Sequence, residues 1–359
     1  MPRYTYYTYD LLTNQQIDDV PMYGVSFDRQ LSSVGTFTGT FRLDDERKTS
    51  QGLLDATLPG RTSLYIDRDG ALIWGGIIWS RTYQSQSRSM QVYAETFESY
   101  LHKRVIKATA VFNTVDPMNI ARSIWNTAQA DPRGDIDVIV PGAFTTTQPI
   151  SKTFSGYEYS NAGQAIDDLA SADTGFDFYI QVAYDSGMIP TKTLLIGRPL
   201  GAMQNNTGLV FQYPGSIENY WFPESAGSST TTLYGVGKGD GAAAIQTSAS
   251  NADLLTAGYP ILEDVESFKD IETAALLSSR IRADVVRRRT PITVPTFQVD
   301  PKADPQFGSY GLGDFARFDL TDYRFPSGYV NTWRVIGWTV TPSSSESTDT
   351  VQLVIEGSE

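Results

Sequence analysis

Histidine and cysteine, on which much enzyme chemistry depends, are scarce in this sequence. The 359 residues include one histidine, His102, and no cysteine. Disulfides, thiolate metal sites and cysteine nucleophiles are therefore excluded, and a serine–histidine triad would have to use His102. The G-x-S-x-G turn that presents a catalytic serine does not occur either. We expect no catalytic residue, no cofactor and no metal, and we interpret His102 as a surface or boundary residue.

Neighbouring carboxylates occur at Asp167-Asp168 and Glu263-Asp264, on predicted helix surfaces and helix starts, where acidic residues are common. Glycoside hydrolysis also uses two carboxylates, which can be distant in sequence. A hydrolase is therefore the enzymatic alternative, although no spacing selects a pair.

Two glycine-containing segments resemble ligand loops but lack required residues. In GVGKGDG (235–241), Asp240 replaces the third glycine of the dinucleotide motif, and Lys238 is not followed by serine or threonine. In IDRDG (66–70), which begins like a calcium loop, Ile78 stands where that loop requires glutamate. We interpret the first as a flexible loop and the second as a hairpin turn.

The only basic cluster is VVRRR at 285–289. It ends a predicted helix, where the helix dipole favours cations. The functional alternative is that Arg287, Arg288 and Arg289 contact a second subunit or passing phosphates.

Periodicity divides the chain into three parts. Residues 1–104 alternate apolar and polar side chains, as half-buried strands do. Residues 105–205 combine strands with two amphipathic helices. Residues 206–359 return to strands, interrupted by the longest predicted helix at 263–289.

Local signals place some boundaries. Asp69-Gly70 predicts a two-residue type I′ hairpin turn. Asp116 and Pro117 predict the N-cap and first residue of a helix that ends at Asp131.

A paired-tryptophan motif occurs twice. LIWGGIIWS (72–80) places Trp74 and Trp79 five residues apart, and NTWRVIGWTV (331–340) does the same with Trp333 and Trp338. Each motif follows a β run and a turn, and each leads through a polar loop to another strand. This order indicates a duplicated β domain.

The paired rings could line a ligand groove or belong to the core. Five-residue spacing puts two side chains on opposite faces of a regular strand, and a bulge at Gly75-Gly76 would turn one ring. Gly337 lies between the second pair. Because the motif is repeated, we expect at least one core tryptophan in each pair, with the other at a domain or subunit contact.

Three segments carry a resemblance to a known family. Residues 64–104 contain D-G-x-x-x-W-G-G, a loop, a strand and S-Y-L-x-x-R, and closely resemble a recurrent segment of tailed-phage minor tail proteins. The late YGLGDFARFDL and the helix IARSIWNTAQADPRGDI also resemble parts of these proteins. The resemblance is to the baseplate hub, or tail-tip hub, proteins of siphophages.

The resemblance implies an α+β, mainly β fold. It implies two tail-tube-like antiparallel β-barrel domains, at 1–104 and 206–359, with an α/β middle domain at 105–205. A helical insert at about 246–290 would interrupt the second barrel. Three subunits would form a homotrimeric ring that continues the tail tube.

The same resemblance implies a structural protein of the virion tail tip, made in the host cytoplasm and acting in attachment and DNA ejection. Its implied partners are other copies of itself, the distal tail protein, the tape measure protein and other minor tail or receptor-binding proteins. Phage DNA would pass through the lumen without specific binding. The formal charge of −13 suits a channel that repels phosphates.

Three other functions are weighed against the hub. They are a distal tail protein ring, which is hexameric, a tail-associated cell-wall hydrolase, and a receptor-binding module that uses exposed tyrosine and tryptophan on sugars. The N-terminus lacks a signal pattern, and no apolar run approaches the roughly 20 residues of a membrane helix.

Overall fold

Strands dominate the computed structural model, at 44% strand and 18% helix, so the prediction of a mainly β fold with antiparallel sheets is confirmed. The structure describes residues 2–45, 48–172, 175–201, 208–223, 229–239, 241–269, 271, 273–287, 295–343 and 349–356. Two compact units divide the chain: residues 1–220 with 296–359, and residues 221–295.

The N-terminal part of the first unit is almost entirely β. Its elements are β1 (Tyr4–Asp10), β2 (Gln16–Asp19), β3 (Tyr23–Gln30), β4 (Thr36–Arg42), α1 (Ser50–Asp55), β5 (Thr62–Arg68), β6 (Ala71–Gln84) and β7 (Ser89–Thr96). Asp69 and Gly70, with φ of 55° and 90°, join β5 to β6. Two successive positive φ values are those of a type I′ turn, so this predicted hairpin is confirmed.

The middle part follows a 3-10 helix at Phe97–Lys103. Its elements are β8 (Ala110–Val115), α2 (Pro117–Ala130), β9 (Val138–Ile139), β10 (Ile150–Phe154), α3 (Ala162–Ala170), β11 (Asp177–Tyr184) and β12 (Pro190–Gly197). Asp116 caps α2 by accepting a hydrogen bond from the Met118 backbone N–H, which confirms the predicted helix start. The sheet β11-β12-β9 shares one hydrophobic core with α2 and α3, centred on buried residues such as Trp125, Ile166 and Ile180.

The C-terminal part contains residues 221–295, which form the second unit. Its elements are β13 (Val210–Tyr213), β14 (Ile217–Trp221), β15 (Thr232–Val236), β16 (Gln246–Ser250), α4 (Ala252–Thr256), β17 (Glu263–Ser267), α5 (Ala274–Arg287), β18 (Thr296–Val299), β19 (Phe315–Leu320), β20 (Tyr329–Thr341) and β21 (Thr350–Glu356). The second unit packs α5 on the sheet β16-β15-β17 through Leu233, Leu277 and Ile281.

The predicted helix at 263–289 is wrong in its first half. Glu263–Ser267 is strand β17, paired in parallel with β15, and the helix α5 begins only at Ala274. The acidic start suggested a helix N-terminus, but pairing with β15 gives these residues a full backbone hydrogen-bond partner. GVGKGDG is also only partly a loop, because Gly235 and Val236 belong to β15; Asp240 lies outside the described residues.

One large sheet runs through both ends of the chain, in the order β14-β18-β21-β20-β3-β4-β7-β6-β5-β1-β2. Strand β19 pairs with β20, and β13 pairs with β19. The sheet therefore contains one strand order twice: β1-β5-β6-β7-β4-β3 and β13-β19-β20-β21-β18-β14. Corresponding strands also occur in the same order along the chain.

Contacts between rings show that both halves of this sheet curl. Tyr4 in β1 and Phe27 in β3 are five strand steps apart, or about 24 Å in a flat sheet, yet their ring centroids are 6.4 Å apart. Phe297 in β18 and Phe318 in β19 are three steps apart, with centroids at 4.4 Å. Each half therefore curls, and the contact between the Phe27 and Trp338 rings, at 5.9 Å, joins the aromatic side chains of the two halves.

Candidate functional site

The two tryptophans of the first pair differ in burial. Trp74 is fully buried, its ring centroid lies 5.6 Å from that of Phe37, and its Nε1 donates a hydrogen bond to the Asp28 carbonyl. Trp79 is half-buried; its Nε1 donates to Ser99 Oγ, and Lys103 Nζ lies 5.5 Å from its ring centroid. The pair does not form one groove.

The bulge predicted at Gly75-Gly76 is wrong. The irregular pairings lie on either side: Ile73 is the extra residue opposite β5, and Trp79 is the extra residue opposite β7. The two glycines instead allow close packing. A Cβ at Gly75 would lie 2.9 Å from atoms of Tyr65 and Val182, and a Cβ at Gly76 would lie 2.1 Å from the Glu95 carbonyl oxygen.

Both tryptophans of the second pair are buried. Trp333 packs on Phe297 and Phe318 at 5.6 and 5.4 Å between centroids, while Trp338 contacts Phe27 at 5.9 Å. A bulge at Ile336 opposite β21 lies between the two rings. That extra residue brings two side chains of odd spacing to the same side of the strand. Gly337 packs against the Arg29 carbonyl, which a Cβ would approach to 3.0 Å.

The predicted basic cluster lies mostly outside the described residues. Arg287 is the last residue of α5. Its side chain, and the whole of Arg288 and Arg289, lie outside the described residues.

Sequence reasoning missed a set of buried arginines that tie the middle part to the large sheet. Arg334 in β20, 7% exposed, donates hydrogen bonds to Asp177 in β11, to Glu356 and to the carbonyls of Gly313 and Leu200. The partners Arg334 and Asp177 are 157 residues apart in sequence. No local pattern marks such a pair.

A second tie lies at the free edge of β11. The Ser32 backbone N–H donates to the Phe178 carbonyl at 2.8 Å, and the Phe178 N–H donates to Ser32 Oγ at 3.2 Å. The Ile180 N–H donates to Glu98 Oε1, which lies 3.9 Å from Arg29 Nη2. Burial lowers the pKa of Arg29, and the charge of Glu98 opposes that shift.

Asp116 joins segments within the middle part itself. Besides capping α2, its Oδ2 accepts from the backbone N–H groups of Thr147 and Gln148 and lies 3.4 Å from Arg198 Nη1. Burial acts to raise the pKa of Asp116, but these hydrogen bonds outweigh it and hold the pKa below its usual value.

His102 lies at a boundary, one-third exposed, with its Nε2 3.5 Å from Asp167 Oδ2. The described part of the chain contains no group of three or more side chains suited to a metal ion. Its helices also include none that is long and apolar enough to span a bilayer. The described residues do offer features suited to attachment, namely open sheet edges.

Sheet edges are the clearest attachment sites. Among the described residues, the strand order of the large sheet ends at β2 and at β14, and its branch ends at β13. An edge strand presents unpaired N–H and C=O groups to a further strand. Ile17 in β2 is exposed on such an edge.

Comparison with known proteins identifies the fold. No family model matches the sequence, and no curated protein matches it. Solved structures match along nearly the whole chain. The 43 kDa tail protein of prophage MuSo2 from Shewanella oneidensis is 10% identical, with a TM-score of 0.62 and 98% of each chain covered.

Two further solved structures of tail proteins match this chain over nearly its whole length. The tail protein from Neisseria meningitidis MC58 is 12% identical, with a TM-score of 0.59 over 98% of this chain and 96% of that one. Prophage tail protein gp18 from Listeria monocytogenes EGD-e is 12% identical, with a TM-score of 0.50 over 98% and 94%. The chain has the fold of phage tail proteins, so the resemblance carried by residues 64–104 is confirmed at the level of the fold.

Proposed function

We propose that this chain is a structural baseplate hub protein of a siphophage, located at the tail tip of the virion. It forms a homotrimeric ring that continues the tail tube and anchors tip proteins during attachment and DNA passage. The fold shared with prophage tail proteins supports this role.

The repeated strand order carries the proposal. Strands β1-β5-β6-β7-β4-β3 and β13-β19-β20-β21-β18-β14 share one order in a curled sheet, with the difference that β13 runs parallel to β19 whereas β1 runs antiparallel to β5. If each is a tube-like barrel, three chains supply six barrels around one axis, which matches a six-fold tube. In this proposal residues 1–104 and 206–359 are the barrel domains, residues 105–205 are the middle domain, and the helical insert at about 246–290 lies within the unit at 221–295.

The sheet edges and the net charge of the chain suggest how subunits would pair and how DNA would pass through the ring. Pairing of an edge such as β2 with a neighbouring subunit would remove open sheet edges. The distal tail protein, the tape measure protein and other minor tail proteins would bind the two faces of the ring. A net charge of −13 would let DNA pass without binding.

Copy number tests the proposal. The mass of the purified protein by light scattering, and its copy number in assembled tails by cryo-electron microscopy, should give three chains of 39.6 kDa. Six copies would instead indicate a distal tail ring, and a monomer in the tail would refute both. Clear zones on zymograms of host cell walls would show that a purely structural role is incomplete.

A further inference from the structure

An apolar groove lies in the middle part, between helix α2 and the segment that leads into β8. Its volume is about 260 Å³, below the roughly 300–1,000 Å³ typical of small-molecule sites. Phe112, Ile124 and Phe154 are among the residues that line it. A groove of this size and lining suits one large apolar side chain.

The rim of this groove is positively charged. Asp131 and Lys107 both lie on the rim, and the Asp131 carboxylate contacts Lys107 and Arg104 together, so these three groups leave one positive charge. Lys152 is exposed and adds another, because its Nζ lies 5.6 Å from the ring centroid of Phe154. The groove therefore favours an apolar side chain that has acidic neighbours.

Ile261 is such a side chain. It is 69% exposed, more than any other described isoleucine, leucine or valine. Residues 252–267 around it contain no lysine or arginine, and their acidic residues are Asp253, Glu263, Asp264 and Glu266. The chain thus carries both an exposed apolar residue in an acidic segment and an apolar groove with a cationic rim.

The backbone on both sides of Ile261 is fixed. The Leu262 N–H donates to Thr231 Oγ1 at 2.7 Å, and the Thr231 N–H donates to the Leu262 carbonyl at 2.9 Å. Pro260 precedes Ile261, and its ring locks its own φ; its carbonyl also accepts from Thr231 Oγ1. A side chain held in this way loses little backbone entropy on binding.

We propose that Ile261 of one copy of this chain inserts into the groove of a second copy, with Glu263 facing Lys107 and Lys152. The two surfaces differ, so the contact is head to tail, and such contacts form a ring when the rotation between copies closes. A ring of three copies rests on the proposed function; the contact between two copies does not.

Two variants of the full chain test the contact by sedimentation velocity. Ile261→Asp removes the inserted side chain, and Thr127→Trp fills the groove from an exposed position on α2. Each variant alone should associate about tenfold or more weakly than the natural chain, since the burial of one large aliphatic side chain is lost. At concentrations well above those at which the natural chain associates, their equimolar mixture should form dimers of one copy of each and nothing larger. Such a mixture offers one intact groove to one intact Ile261.

Met188→Asp is the matched control, because Met188 is 61% exposed and lies outside both surfaces; its association should equal that of the natural chain. If Thr127→Trp does not fold, Lys152→Glu replaces it, because it reverses the charge of the rim. A natural chain that stays monomeric, undiminished association of Ile261→Asp, or a mixture that stays monomeric would overturn the proposal. Three copies in tails with undiminished association of Ile261→Asp would refute this contact alone. A mixed dimer from a chain that has six copies in tails would refute the hub alone.

Discussion

The indole Nε1 of Trp74 donates a 2.9 Å hydrogen bond to the backbone carbonyl of Asp28. Trp74 lies in β6 and Asp28 in β3, three steps apart in the order β3-β4-β7-β6. Three steps span about 14 Å in a flat sheet, so this bond exists only because the sheet curls. The Trp74 side chain thus joins β6 to β3, two strands that are not neighbours in the sheet.

Replacing this indole should destabilise the protein. Trp74→Phe removes the bond to Asp28 and part of a fully buried ring, and we expect a loss of about 2–4 kcal/mol in the free energy of unfolding. Trp79→Phe, which removes a half-buried bond to Ser99, should cost about 1 kcal/mol. Urea unfolding of both variants measures the difference. Equal losses would mean that Trp74 does not hold the curvature.

Close packing at Gly76 gives a second prediction. Because a Cβ there would meet the Glu95 carbonyl oxygen at 2.1 Å, Gly76→Ala must displace backbone and should cost about 3 kcal/mol or more. Gly142→Ala is the control, since a Cβ at Gly142 meets nothing within 4 Å; it should change stability by less than about 0.5 kcal/mol. Thermal unfolding distinguishes them, and a tolerated Gly76→Ala would contradict the packing described.

Arg334 should contribute more to the free energy of unfolding than the exposed Arg317. Arg334→Ala leaves Asp177 with only the Leu200 N–H as a donor among the described residues, and removes the side-chain donor of the Gly313 and Leu200 carbonyls. Breaking this largely buried pair should cost about 3–5 kcal/mol. Arg317→Ala removes an exposed pair with Asp319, with Arg317 at 51% exposure, and should cost less than about 1 kcal/mol. Chemical denaturation compares the two. A small loss for Arg334→Ala would show that the middle part is held by its apolar contacts instead.

Features that depend on neighbours in sequence could be predicted, and features that depend on distant ones could not. The Asp69-Gly70 turn and the Asp116 cap follow from local backbone chemistry. The bulges at Ile73 and Trp79 depend on pairing with β5 and β7. Gly75 and Gly76, which lie between them, therefore did not indicate where the strand would bulge.

Strand β17 shows the same limit for secondary structure. Its acidic residues fit a helix start as well as an exposed strand edge, and only the parallel pairing with β15 decides. A cavity lined by Ser32, Glu98 and Asp167 is assembled from the β3–β4 turn, the 3-10 helix and α3, and no spacing in the sequence points to it.

The buried Lys192 should make the free energy of unfolding depend on pH between about pH 8 and 10.5. The side chain is fully buried over the Phe97 ring, and no described residue accepts a hydrogen bond from its Nζ. Burial lowers the pKa of Lys192 from 10.5 to about 8, with Asp137 and Asp135 opposing the shift. This corresponds to a cost of about 3 kcal/mol when the amine is charged.

That cost is fully present below pH 8, where folded and unfolded chains are both protonated at this position. Between pH 8 and 10.5 the unfolded chain binds more protons, so stability rises with pH. Lys192→Met should therefore stabilise the protein at pH 7 by about 1–3 kcal/mol, and its advantage should shrink by pH 9.5. Unfolding at both pH values, compared between the two chains, measures this. An advantage that does not change with pH would rule out a charged, buried amine.

The insert should be removable without loss of the large sheet. The Asp300 N–H donates to the Ser216 carbonyl, and Gln298 bonds to Glu218. This antiparallel register places Tyr220 opposite Thr296, where the unit at 221–295 leaves and re-enters. Two paired strand ends can be joined by a short hairpin loop.

Replacing residues 221–295 with a four-residue glycine-containing turn should thus leave a folded protein. We expect β-type circular dichroism, a cooperative unfolding transition and unchanged amide protection in β20 and β21. The matched control removes residues 105–205 instead, which deletes Asp177 and most of the apolar core around Trp125; that variant should not fold. If the chain lacking 221–295 also fails to fold, the unit is an integral part of the second half of the sheet and not an insert within it.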